Sequence, residues 1–218
     1  MEKVDLNIFK KVSYGLYVLT SKSKGHDNGC IVNVVVQVTT SPLQVVLAVN
    51  KGNLTHDMMV ESGLFNVNVL SEEASMEVFK HFGFQSGKQV DKFQNFRHCE
   101  RSDNGLLFLN AYSCGFLSGK VTQMFDLGTH TLFIATVTES RVFSDTMPIT
   151  YDFYQKYTKP GLKPTPSSAP KEPKKEATAK PKVWVCDICG YEYEGDEVPD
   201  DFVCPICSHG KEAFTLQG

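Results

Sequence analysis

The chain has 218 residues, 41% of them hydrophobic, and a formal net charge of −3. That length accommodates one ordinary domain and a small second one, and so small a charge gives no whole-chain case for nucleic-acid binding. The longest apolar run is far too short to span a bilayer, and the N-terminal MEKVDLNIFKKVSYG lacks the apolar stretch of a signal peptide. The expectation is a cytoplasmic protein with neither membrane nor nucleic acid as partner.

The first 158 residues read as mainly β. Segments 15–21 (GLYVLTS), 30–38 (CIVNVVVQV), 44–50 (QVVLAVN), 64–70 (LFNVNVL), 119–125 (GKVTQMF) and 130–137 (HTLFIATV) are rich in β-branched and aromatic residues. Polar turns separate them. One helix is expected to begin at Asn53–His56, with Met58 and Met59 on its inner face, and another to run from Glu72 to about His81. Six strands with few helices predict a closed antiparallel barrel. The isolated cysteines Cys30, Cys99 and Cys114 read as small buried hydrophobes.

No strand–GxGxxG–helix unit and no P-loop occurs in the barrel region, so a nucleotide-like cofactor must be held in another way. Asn33 and Gln37 set amide groups among valines, the mixture that a flat polar heterocycle requires. In NKGNLTH, Asn53, Thr55 and His56 stand where a helix begins, and backbone N–H groups there can hold a phosphate. Ordinary strand-edge polarity for the first pair, and simple helix capping for Asn53 and Thr55, are the competing readings.

Residues 159–182 hold seven lysines, two acids and six of the ten prolines. Such a composition cannot bury a core and predicts a solvated tether, with a root-mean-square reach of roughly 25–30 Å as a coil. The final 36 residues, 183–218, carry eight acids against one lysine. A piece that small needs a staple. Cys186, Cys189, Cys204 and Cys207 form two Cys-x-x-Cys pairs fourteen residues apart, which can aim four sulfurs at one metal. Spacing alone leaves iron and zinc both open.

Two resemblances sharpen the expectation. The CDICGY, PDDFVCPIC and KEAF pieces of the tail resemble the short rubredoxin-like domain of rubrerythrins. The resemblance implies one iron on the four cysteines, cycling between ferric and ferrous. The interval between the cysteine pairs is shorter than in free-standing rubredoxins, and Ser208 stands where that family usually has glycine.

Residues from about 6 to 156 resemble the flavin reductase-like family through DNGCIVNVVVQVTTSPL, NKGNLTH, LFNVNVL, FGFQSGKQVDKF, DLGTHTLFIATV and PITYDFY. That family implies an FMN-binding split barrel, with the flavin at a homodimer interface. Carried over, Asn33, Val34, Val35, Val36 and Gln37 would line the ring and ribityl chain. Asn50, Lys51, Asn53, Thr55 and His56 would surround the phosphate. Lys92 and His130 are further cofactor candidates, set against a solvated lysine and a core or turn histidine. Tyr151 and Tyr154 would cover the site or the dimer seam, or simply pack. Valines at 34–36 replace the Ser, Phe or Thr of many relatives, so the ring contacts are expected to be mostly main-chain.

Hydride transfer from nicotinamide to flavin needs stacking and the flavin's own electronics, and no catalytic side chain is assigned. Barrel, tether and short rubredoxin together resemble a fusion found in anaerobic bacteria. It implies NADH or NADPH as donor and a flavodiiron protein, reducing nitric oxide or dioxygen, as acceptor. The alternatives are a free-flavin or ferric reductase with a structural tail, and a non-enzymatic barrel with a zinc ribbon.

Overall fold

A computed structural model describes residues 4–159, 182–187, 191–204 and 209–217. The chain divides into two units, 1–163 and 164–218. Residues 160–181, most of the expected tether, lie outside the described residues.

The first unit begins with a 3-10 helix at Leu6–Lys11. Strands β1 (Tyr17–Ser23) and β2 (His26–Val32) form a hairpin across Lys24 and Gly25. Both turn residues have positive φ, 49° and 84°, the geometry a two-residue hairpin turn needs to match the strand twist. Next come β3 (Val35–Thr40), β4 (Leu43–Asn50), helix α1 (Leu54–Ser62) and β5 (Leu64–Leu70). Helix α2 (Met76–Gly83), the short hairpin β6 (Cys99–Arg101) and β7 (Leu107–Leu109), and the long hairpin β8 (Ser113–Asp126) and β9 (His130–Val142) follow. The unit closes with α3 (Tyr151–Phe153) and a π-helical turn, Tyr154–Thr158.

Seven strands form one antiparallel sheet in the order β2-β1-β5-β8-β9-β4-β3. Its end strands, β2 and β3, are neighbours in sequence, joined only by Asn33 and Val34. Flat, six inter-strand spacings would separate them by about 29 Å. The three Cα steps from Val32 to Val35 span at most about 11 Å. The sheet must therefore curl until its ends approach, and because β2 and β3 are not ladder partners the barrel is split there.

This corrects two sequence expectations. The 30–38 segment is two strands rather than one, because its halves pair with β1 and with β4 at opposite ends of the sheet. The second helix starts at Met76, not Glu72. Residues 71–74 instead make a turn, with Ser71 bridged to Pro148 and Ala74 N–H bonded to Ser71 O at 3.0 Å.

Burial alternates along β4, with Val45, Leu47 and Val49 pointing into a core shared with Leu19, Met59, Phe65 and Phe133. A second core packs α2, through Val78, Phe79 and Phe82, against Leu16, Val18 and Leu70. Strand β1 thus faces apolar partners on both sides. The asparagines of LFNVNVL are fully buried, and each is satisfied. Asn66 Nδ2 donates to Ser102 Oγ at 2.8 Å, and Ser118 Oγ donates to Asn66 Oδ1 at 2.7 Å. Asn68 Nδ2 donates to Val18 O at 2.8 Å, and Leu109 N–H to Asn68 Oδ1 at 2.6 Å. Buried amides left unpaired would cost several kcal/mol; here they tie the β6–β7 region to the barrel wall.

The second unit is a three-stranded sheet, β11-β10-β12, of β10 (Val183–Cys186), β11 (Glu192–Glu194) and β12 (Phe214–Gln217). Its core contains Cys186, Val198, Cys204, Ala213 and Phe214, flanked by Trp184, Tyr191, Tyr193 and Phe202. The Phe202 ring lies 4.8 Å from that of Tyr193 and 5.5 Å from that of Phe214. Lys211 Nζ reaches Asp200 Oδ1 at 2.7 Å. Among the described residues, no helix is long and apolar enough to cross a membrane.

Candidate functional site

The phosphate candidates come together where β4 ends and α1 begins. Asn50, the last residue of β4, is paired with His130, the first of β9. Lys51 N–H bonds Thr129 O at 3.0 Å, and Asn50 O accepts from Asn53 N–H at 3.1 Å. Asn50 Oδ1 turns back to Gly52 N–H at 2.8 Å. Asn53 then enters α1 with extended backbone, and its side chain makes no capping bond. His130 sits in the same corner, with Nδ1 2.9 Å from Thr129 Oγ1.

Two of the candidates have interior duties. Thr55 is fully buried and accepts from Asn28 Nδ2 at 2.9 Å. His56 is buried between two partners, with Nδ1 3.0 Å from Asp57 Oδ1 and Nε2 2.9 Å from Thr131 Oγ1. Its ring meets Phe133 edge-on at 5.7 Å. Lys51 Nζ donates to Asp126 Oδ1 at 2.6 Å. That bond, followed by the one from Gly128 N–H, holds the Asp126 carboxyl below its ordinary range.

The ring candidates lie on the split edge. Val34 O accepts from Ala48 N–H at 3.3 Å. Val35 packs against the main core, whereas Val36 and Gln37 are exposed, and Asn33 is half-buried in the β2–β3 link. Gln37 Nε2 reaches only Thr39 O, at 3.4 Å, beside the bulge between Gln37 and Thr39. Among the described residues, this edge strand has no ladder partner on its outer side.

Lys92 is neither solvated nor in the corner. It is 3% exposed, and its ammonium donates to Gly29 O and Phe82 O, both at 2.9 Å. Burial pulls its pKa below the ordinary lysine value. The neighbouring Cys30 thiol is pushed up by burial, partly offset by Thr55 and by the lysine charge. Tyr154 is buried against Phe79, ring centres 4.6 Å apart, and Tyr151 is half-buried beside it. Of the isolated cysteines Cys30 is buried, while Cys99 and Cys114 are half-buried.

Sequence reasoning missed Thr131, Asn28 and Asp126. Asn28 lay in a stretch rich enough in polar residues to draw attention. Thr131 and Asp126 depend on strand pairing that a linear reading does not supply.

In the second unit Cys186 and Cys204 are each about 1% exposed. Cys186 N–H bonds Tyr191 O at 2.8 Å, and Cys204 N–H bonds His209 O at 2.7 Å. Each loop thus closes on the carbonyl five residues after its first cysteine. Cys189, Cys207 and Ser208 lie outside the described residues. Two buried sulfurs on matching loops within an aromatic shell suit a soft-ligand metal such as iron. The polar corner, with Lys51, Asn53 and His130, suits an anionic cofactor end.

A split antiparallel barrel with such a corner, followed by a cysteine-paired module, defines a flavoprotein oxidoreductase carrying an electron-transfer domain. Residues 9–159 match the flavin reductase like domain family, residues 184–215 match the rubredoxin-like domain of rubrerythrin, and the chain belongs to the flavin reductase-like family. It is 35% identical to the high molecular weight rubredoxin of Moorella thermoacetica, covering 97% of this chain and 99% of that protein. It is 36% identical to the ferric-chelate reductase (NAD(P)H) of Archaeoglobus fulgidus, over 69% of this chain and 89% of that one. Among solved structures, the NADH:FAD oxidoreductase SgcE6 of Streptomyces globisporus superposes with a TM-score of 0.62 at 20% identity. That match covers 70% of this chain and 94% of the other and supports the fold. The two domains imply flavin and iron as cofactors.

Proposed function

We propose that the protein is an NAD(P)H-dependent oxidoreductase whose barrel binds FMN and whose second unit relays electrons through one iron on Cys186, Cys189, Cys204 and Cys207. Bound flavin supplies an acceptor for hydride that can release electrons singly, and thiolate-ligated iron supplies a one-electron carrier. The observation that carries the reading is the meeting of Asn50, Lys51, Asn53 and His130 at one corner.

The protein's own residues bind and orient. The α1 start supplies positive potential for a phosphate, and Lys51, paired with Asp126, stands beside it and would exchange that carboxylate for the phosphate. Thr55 and His56 hold the first turn of α1 against β2 and β9. The main chain of Val34–Val36 and the amides of Asn33 and Gln37 would hold the ring. In the second unit the aromatic residues Trp184, Tyr191, Tyr193, Phe202 and Phe214 pack around Cys186 and Cys204 and would keep water from a metal there.

The exposed apolar residues Val36 and Val38 on the edge strand β3 support a homodimer that covers this edge. The acceptor in this reading is a flavodiiron protein reducing nitric oxide or dioxygen. Reduced thiols favour the cytoplasm.

The purified full chain should show two chromophores, flavin and red ferric-thiolate, and NADH or NADPH should bleach both without oxygen. A colourless protein, or a spectrum unmoved by either nucleotide, sinks the proposal. A second reading is favoured by the ferric-chelate reductase likeness, which covers the barrel without the tail. In it the barrel reduces its acceptor unaided. Deleting residues 159–218 then leaves the physiological activity intact, whereas the relay requires that it be lost.

A further inference from the structure

The turn between β8 and β9 grips Lys51 at two points. Lys51 N–H bonds Thr129 O at 3.0 Å, and Lys51 Nζ donates to Asp126 Oδ1 at 2.6 Å. Asp126 is the last residue of β8, and Thr129 precedes His130, the first of β9. The ammonium at the cofactor corner is therefore held by an acid that another element supplies. We propose that Asp126 is a built-in competitor for the flavin phosphate, a carboxylate that occupies Lys51 and so sets how tightly the corner holds an anion. This rests on the function proposed above and adds to it the residue that limits cofactor affinity.

The carboxylate is fixed independently of the lysine. Asp126 Oδ1 also accepts from Gly128 N–H at 2.7 Å. Gly128 has a φ of 82°, which lets the chain reverse there. Leu127 N–H bonds His130 O at 2.9 Å and closes the turn. Across the ladder Asp126 pairs with Thr131, whose hydroxyl meets His56. The hairpin that brings His130 and Thr131 to the corner thus brings the acid as well. Exposed ion pairs are weak partly because two long side chains must be ordered to form them. Here the turn has already ordered one of the two.

The other acid near the start of α1 is turned away. Asp57 faces His56 Nδ1 at 3.0 Å and Lys88 Nζ at 3.7 Å. Asp126 is the acid that places a full negative charge on Lys51, and its carboxyl titrates below the ordinary range, so that charge is present at neutral pH. Both side chains reach solvent, so a phosphate can approach Lys51 from the water side. The ammonium is then shared between two anions, and the carboxylate repels the incoming one. Both effects act on the phosphate alone. A flavin without phosphate meets neither.

Asp126→Asn keeps an oxygen acceptor for Gly128 N–H and removes the charge. The full chain freed of flavin, as wild type and as this variant, is titrated with FMN and with riboflavin. The variant should bind FMN about three- to tenfold more tightly than wild type and riboflavin with unchanged affinity. Strong salt should shrink the gain, because screening weakens exposed charges in both chains. Lys51→Met should weaken FMN and spare riboflavin.

An acid needed only to shape the turn gives the opposite sign, because its loss loosens the hairpin and weakens both flavins. That result, an unchanged FMN affinity in Asp126→Asn, or equal gains for the two flavins overturns the competitor role. So does a gain that salt leaves intact, or a Lys51→Met chain with full FMN affinity. Each of these leaves the flavin function standing. A wild-type chain that binds neither flavin removes the underlying reading instead.

Discussion

His56 Nε2 lies 2.9 Å from Thr131 Oγ1, joining the first turn of α1 to the second residue of β9. Both residues are buried. The bond fixes the helix start against the strand that carries His130, so the corner proposed to hold the cofactor phosphate is assembled by a contact between residues 75 positions apart.

Thr131→Val should therefore cost stability and cofactor together. It leaves a buried imidazole nitrogen without its partner, a loss of about 1–3 kcal/mol. Urea denaturation measures the first effect and an FMN titration the second. Thr131→Ser keeps the hydroxyl and should restore most of both. Equal stability of the valine variant and wild type would show that the bond contributes nothing.

Lys92→Met should be among the most damaging single changes in the barrel. It strands two interior carbonyls, Gly29 O and Phe82 O, at a cost of about 2–4 kcal/mol. The native pKa of Lys92 lies below its ordinary value of 10.5. Between the two values the unfolded chain binds more protons, so this residue makes stability rise with pH as the solution approaches 10.5. Thermal melts across that alkaline window should show the contribution in wild type and lose it in the methionine variant. A methionine variant as stable as wild type and with the same slope would refute the interior role.

The Lys51–Asp126 pair responds in the opposite pH range. Bonded to the ammonium, Asp126 titrates below its ordinary 3.8. On acidification the unfolded chain takes up that proton first. The contribution of the pair is present above 3.8 and disappears as pH falls through the lower native value. Both side chains reach solvent, so the sign is the prediction, read from the Asp126 carboxyl resonance in an NMR titration. Lys51→Met should return that titration toward 3.8.

Cys204→Ser should preserve reduction of the flavin by NAD(P)H and abolish the ferric-thiolate absorption, together with electron delivery to the acceptor. Stopped-flow spectra separate the two. Because Cys204 is also buried in the small core, circular dichroism of the variant checks that the second unit still folds. Normal transfer by a folded variant would remove the iron from the relay.

Much of the fold was legible in the chain. The 64–70 segment forms a strand with the bounds read from its pattern, and α1 begins at the NKGNLTH step with Met58 and Met59 inside. Local pattern suffices there because one turn signal and one burial face decide each element. The 30–38 run was misread as one strand because its apolar residues continue through Asn33 and Val34. Only the identity of the pairing partners breaks it.

The sequence by itself determined two parts, a β-rich domain and a cysteine-paired tail, and the cluster of polar residues at the α1 start. Strand periodicity and ligand spacing are local properties, and local chemistry enforces them. The tertiary structure decided that Asn50 meets His130, that Thr131 supports His56, and that Lys92 turns inward onto the carbonyls of Gly29 and Phe82. Those outcomes depend on which strands pair and which carbonyls need a donor. Both are set when the sheet curls and buries its polar groups.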